Sequence, residues 1–138
     1  MKRPLLSLLL SLALLTAACK KESEAPAPSV EGRWTIKSLV SYEYAPDGTL
    51  IRQVTDTSAA ARHFYTVISK EAILHYAVKD DHPLGGSPIT YLDPTTVQYN
   101  QGKIIFQDLT AHRLVLHYVP ERAFVNQPYY EYDDVYAR

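Results

Sequence analysis

The tightest constraint on the fold lies in residues 30 to 44, Val-Glu-Gly-Arg-Trp-Thr-Ile-Lys-Ser-Leu-Val-Ser-Tyr-Glu-Tyr, which hold the chain's only tryptophan. Trp34, Ile36, Val40, Tyr42 and Tyr44 share one parity, broken only by Ser38, while Thr35, Lys37, Ser41 and Glu43 occupy the other beside Leu39. Successive side chains on a strand point to opposite faces, so the alternation predicts a long strand with one face inward and one outward. Further strands must complete what this one begins.

Turn signals recur downstream at Pro46-Asp47-Gly48, Ser69-Lys70-Glu71, Asp80 to Pro88, Asp93-Pro94, Asn100-Gln101-Gly102, Thr110-Ala111 and Pro120 to Pro128. The segments between them have strand length and place strands near 33–44, 49–55, 63–68, 73–78, 89–92, 96–100, 103–109, 113–119 and 129–137. Most connections are short enough to be hairpins. The expected fold is all-β, an antiparallel up-and-down β-barrel of about eight strands. Ser58 is positioned to cap Ala59-Ala60-Ala61, which allows one helical turn there and no more.

With 138 residues, 46% hydrophobic and 21% charged, the chain suits one globular domain once its ends are trimmed. Residues 1–18 have the parts of a secretory signal: Lys2 and Arg3, a leucine-rich run from Leu5 to Leu15, then Ala17 and Ala18. Residues 19–29 are polar, charged and proline-containing, the composition of a tether, with a reach of about 35 Å when extended. The folded domain is expected over 30–138. Removing a leader that carries Lys2 and Arg3 shifts the formal net charge from −1 to −3, so no basic patch for nucleic acid is implied. Cys19 is the one cysteine, which rules out an intramolecular disulfide.

Leu15-Thr16-Ala17-Ala18-Cys19 resembles the lipobox of bacterial lipoproteins, whose cysteine is acylated as the signal is removed. The resemblance implies a membrane partner reached through lipidated Cys19. Position 20 is lysine, not aspartate, and lipoprotein sorting rules then imply the outer membrane of a bacterial cell envelope, facing the periplasm or the surface. Lys20-Lys21-Glu22-Ser23-Glu24 is compatible with a surface-export signal and equally with a solvated linker.

Gly32-Arg33-Trp34 at the head of the first strand resembles the Gly-x-Trp signature of the lipocalins and the wider calycin group. Lys103 to Leu116 resembles the late hairpin of small lipocalin-like bacterial lipoproteins, and Tyr129 to Arg138 their tyrosine-rich closing strand. The domain is shorter than a typical lipocalin and lacks the Thr-Asp-Tyr motif. The likeness implies that an arginine late in the chain, Arg138 or else Arg122, stacks on Trp34 at the barrel end. Independently of the family, Gly32 permits close approach of the chain, and Trp34 is large enough to plug a barrel end while its indole N–H seeks an acceptor.

Catalytic and metal-binding patterns are thin. A two-residue turn at Lys70-Glu71 sets His75 opposite Thr66 and His63 opposite Val78, with the two imidazoles on opposite faces, so they make no ligand pair. Asp80-Asp81 lies in a loop, and the neighbours Asp133 and Asp134 point apart on a strand. No phosphate loop or nucleophile elbow is present. Neither a cofactor nor a metal nor an enzymatic activity is expected.

Two groups of residues are candidates for binding. Ser38 leaves a gap in an otherwise bulky inward row, and with Tyr42, Phe64, Tyr91 and Phe106 it would line a modest apolar site. Tyr130, Tyr132 and Tyr136 share a strand face with Asp134 and serve either as core packing or as a binding face. Two functions follow: an envelope lipoprotein that binds a small apolar or amphipathic ligand, or a structural lipoprotein with a packed barrel and an envelope protein partner.

Overall fold

A computed structural model describes residues 27–59, 63–100 and 102–138. The expected signal over 1–18, the lipidation site Cys19 and the tether up to Pro26 lie outside the described residues. Nine strands form one antiparallel sheet: β1 (Gly32–Tyr44), β2 (Leu50–Asp56), β3 (Phe64–Ile68), β4 (Ala72–Ala77), β5 (Pro83–Asp93), β6 (Thr96–Tyr99), β7 (Gly102–Gln107), β8 (Arg113–Pro120) and β9 (Tyr129–Ala137). From β3 onward each strand pairs with the next, and β9 returns along β1 from Thr35 to Tyr44. The sheet is therefore a closed barrel. The opposite edge of β1 is shared: its first residues, Gly32 to Thr35, pair with β3, and its later ones, Leu39 to Tyr44, pair with β2. Eight strands make the ring, and β2 is an extra strand beside the upper half of β1.

The lower half of the barrel is packed shut. Trp34, Ile36, Ile68, Ile73, Ile89, Val97, Ile104, Phe106, Leu114, Leu116 and Tyr136 form one buried cluster. Ala59 joins it, carried inward by a 3₁₀ turn at Ser58 and Ala59, between β2 and β3, where one helical turn was expected. Trp34 is fully buried and donates its indole N–H to the Val30 carbonyl at 2.8 Å. Arg138, not Arg122, lies over the Trp34 ring at 3.7 Å and donates to the carbonyls of Ser29 and Glu31. Gly32 has φ +118°, and a Cβ there would sit 3.1 Å from the Arg138 guanidinium, so glycine suits both the backbone and the stack.

Two departures from the strand pattern have local causes. β5 begins at Pro83 where a loop was expected up to Pro88, because Gly86 lets the backbones meet. A Cβ on it would lie 2.3 Å from the Ile73 carbonyl oxygen. On β1, Ile36 pairs with Tyr136 but Ser38 pairs with Val135, so a β-bulge inserts one residue at Lys37. One extra residue exchanges the faces of everything that follows. Leu39 and Ser41, opposite Asp134 and Tyr132, turn inward; of the expected inward row, Ser38 pairs with Val135 at the bulge, Tyr42 and Tyr44 turn outward, and Val40 stays buried and borders the same space as Leu39 and Ser41.

Candidate functional site

Above the packed half, the barrel interior holds a cavity of about 550 Å³ that opens toward the mouth. Leu39, Val54 and Pro120 give it apolar wall, and Tyr99, Tyr118 and Tyr132 give it rings. Its polar groups are Ser41, Asp56 and Asp134. Three structural features bring these residues together. The Lys37 bulge turns Leu39 and Ser41 inward, β2 carries Val54 and Asp56 to the same face, and the period of β9 aligns Tyr132, Asp134 and Tyr136.

The cavity floor is a chain of hydrogen bonds across the barrel. The fully buried Thr66 hydroxyl donates to Tyr136 at 3.2 Å, and the Tyr136 hydroxyl donates to Asp134 at 3.1 Å. Thr66 Oγ1 also meets His75 Nδ1 at 2.9 Å. A hydroxyl carries one hydrogen, already given to Tyr136, so this contact assigns the proton to His75 Nδ1. Tyr118 joins Asp134 from β8, and Tyr99 packs edge-on against Tyr118 with centroids 5.5 Å apart.

Burial and then the negative charge of Asp134 push the Tyr118 and Tyr136 phenols well above their ordinary range, and Tyr99 is raised for the same reasons. These phenols therefore keep their protons as donors. Burial pushes His75 below 6.5, which favours the neutral ring. The result is an apolar sleeve closed below by groups that both donate and accept hydrogen bonds. Such an arrangement can hold a molecule with one polar end.

The residues expected to bind are dispersed. Ser38 sits at the bulge, opposite Val135. Tyr42 is on the outer face, where its hydroxyl donates to Asp133 at 2.6 Å. Phe64 meets the His75 ring edge-on at 5.7 Å beside the core. Tyr91 and Phe106 pack together in the closed half, with centroids 6.0 Å apart. None of these five lines the mouth cavity. On β9, Tyr136 is core, Tyr132 lines the cavity, and Tyr130 is exposed near the rim. The row thus divides along the strand into one core residue, one that lines the cavity and one that is exposed.

Sequence reasoning missed Tyr99, Tyr118 and the inward turn of Ser41. The signal was Leu39, an apolar residue standing on the polar parity just after Lys37 and Ser38. The outer face carries a second cluster, also unforeseen. His117 Nδ1 lies 2.6 Å from Asp133, and its Nε2 lies 3.3 Å from Glu131. Burial, followed by the hydrogen bond to Asp133, raises Tyr42 to about 12. Beside it Tyr44 stacks on Tyr129, and Arg122 covers the Tyr129 ring at 3.4 Å. Among the described residues no group of three or more His, Cys, Asp and Glu is arranged to hold a metal ion. Family models, curated proteins and solved structures give no match to the chain.

Proposed function

We propose that this chain is a lipocalin-like envelope lipoprotein, anchored through acylated Cys19, that carries a small amphipathic ligand in the mouth of its barrel. The observation that carries the ligand reading is the 550 Å³ cavity, with apolar walls above a hydrogen-bonded floor. A void of that size falls within the range of small-molecule sites, and its polar groups converge at one end. The lipocalin-like reading is supported by Gly32 and Trp34 at the closed end with Arg138 over the indole. The anchor is supported by the lipobox-like stretch Leu15 to Cys19 alone. An envelope protein partner is a second reading, favoured by Phe124 and Val125 in the β8–β9 loop, which are 66% and 76% exposed.

Titration with N-phenyl-1-naphthylamine tests the cavity. Wild type should bind it with a Kd on the order of micromolar. Ser41→Phe, which fills the void from β1, should abolish binding while lowering the melting temperature only slightly. A wild type that leaves the probe unbound, together with a Ser41→Phe variant that melts much earlier, overturns the carrier reading in favour of a packed barrel. Intact mass of the membrane fraction tests the anchor: a mature chain that does not begin at an acylated Cys19 removes it.

A further inference from the structure

Tyr99 and Tyr118 stand between the mouth cavity and a second, smaller cavity inside the barrel, and they line both. The second cavity measures about 60 Å³; Ile73, Ile89 and Ile104 give it apolar walls, and His75 and Ser87 give it polar atoms. Gly85 pairs with His75, and a Cβ built on it would meet nothing within 4 Å, so β5 leaves room beside the imidazole. Each polar side chain has capacity left. His75 gives its Nδ1 proton to Thr66, and its Nε2 has no partner among the described residues. No buried side-chain nitrogen or oxygen among those residues lacks a partner, so Nε2 reaches open space, and the small cavity is the open space that His75 borders. Burial favours the neutral ring, in which Nε2 presents a lone pair. Ser87 Oγ accepts from Asn100 at 3.1 Å, which leaves its own hydrogen to give. His75 and Ser87 are diagonal neighbours on paired strands, about 7 Å apart at Cβ, a gap that the two side chains and one oxygen between them can span. One acceptor and one donor match a hydroxyl, which donates and accepts through a single atom. A carboxylate has no hydrogen for Nε2, and an anion or an ammonium would lose its hydration among three isoleucines.

We infer that the smaller cavity is a head-group subsite for a neutral alcohol or phenol, whose hydroxyl donates to His75 Nε2 while its apolar body lies in the mouth cavity. This rests on the reading of the mouth cavity as a ligand site and adds the chemistry of the guest's polar end. Tyr99 and Tyr118, packed edge-on, form the boundary that the guest crosses. The Tyr99 hydroxyl has no hydrogen bond among the described residues, so its ring can turn aside without breaking one. Thr66, bonded in turn to Tyr136, fixes the imidazole before the guest arrives.

Octanol and heptyl methyl ether are isomers that differ in whether the oxygen carries a hydrogen, and octanoate adds a charge. Each is titrated against N-phenyl-1-naphthylamine bound to the full chain. Octanol should displace the probe with an affinity about fivefold or more above that of the ether, and octanoate should be the weakest. The NMR shift of the His75 Nε2 nitrogen should move on saturation with octanol and stay in place with the ether. His75→Leu should bring octanol and the ether to equal affinity. Should that variant fail to fold, the nitrogen shift in wild type decides. Equal affinities in wild type, a preference for octanoate, or a His75 nitrogen that octanol leaves unmoved overturns the inference while leaving the mouth cavity a binding site. A barrel that binds neither the naphthylamine nor octanol overturns both readings.

Discussion

At the residue scale, Trp34 does most to close the barrel's lower end. Its ring is fully buried, its N–H is satisfied by Val30, and Arg138 covers one face. Trp34→Ala removes a large buried ring that the rigid barrel end cannot collapse to replace. The expected cost is about 3–5 kcal/mol, read from urea unfolding. A loss under about 1 kcal/mol would mean that the indole does not carry this end of the core. Gly32 and Trp34 were legible because each has a local chemical reason to be there, a backbone approach and a plug; the arginine over the ring was expected from the lipocalin resemblance as Arg138 or else Arg122, and the structure puts Arg138 there.

At the element scale, the Lys37 bulge decides what the mouth contains. Up to Ile36 the inward parity of β1 is the one its alternation announces; after Lys37 it reverses, placing Leu39 and Ser41 inside and Tyr42 outside. Deleting Lys37 would join Ile36 to Ser38 in the register they already hold, removing the bulge while keeping Leu39 and Ser41 inside and Tyr42 outside, whereas deleting Val40 would shift Ser41 and Tyr42 to the opposite faces and strip the outer face of the hydroxyl that Asp133 accepts. The expected loss for the Lys37 deletion is under about 2 kcal/mol, whereas deleting Val40 should cost more than about 3 kcal/mol. Equal tolerance of the two deletions in urea unfolding would refute the bulge. The other strands were legible almost to their ends from turn chemistry, and β5 ran long only because glycine suits a close backbone approach as well as a loop.

At the scale of the whole molecule, the floor of the cavity links β3, β4, β8 and β9 through His75, Thr66, Tyr136, Asp134 and Tyr118. Burial holds the folded-state pKa of His75 below 6.5, so in the window beneath 6.5 the unfolded chain binds the proton more readily. Stability therefore rises with pH through that window and is lost on acidification. Thermal melting from pH 7 to 5 should fall more steeply for wild type than for His75→Gln. Parallel slopes would place the ring in solvent. The same network explains why the interior is divided, with aliphatic packing below and a polar floor under an open mouth above.

The sequence by itself determined the fold class, the positions of nearly all the strands and the parts played by Gly32 and Trp34 at the barrel end. Those features depend on interactions within a few residues: alternation, turn chemistry and the demands of a glycine and a tryptophan. It also separated Asp133 from Asp134, since neighbours on a strand face opposite ways, and the structure gives the first to His117 and Tyr42 and the second to the cavity. Only the tertiary structure decided which residues meet in the mouth. Strand parity is a relative quantity: one bulge exchanges inside for outside over half a strand, and its position follows from pairing with β9, a partner some ninety residues away. The level placement of Asp56, Leu39 and Asp134 depends on three registers at once, and no single strand carries that information.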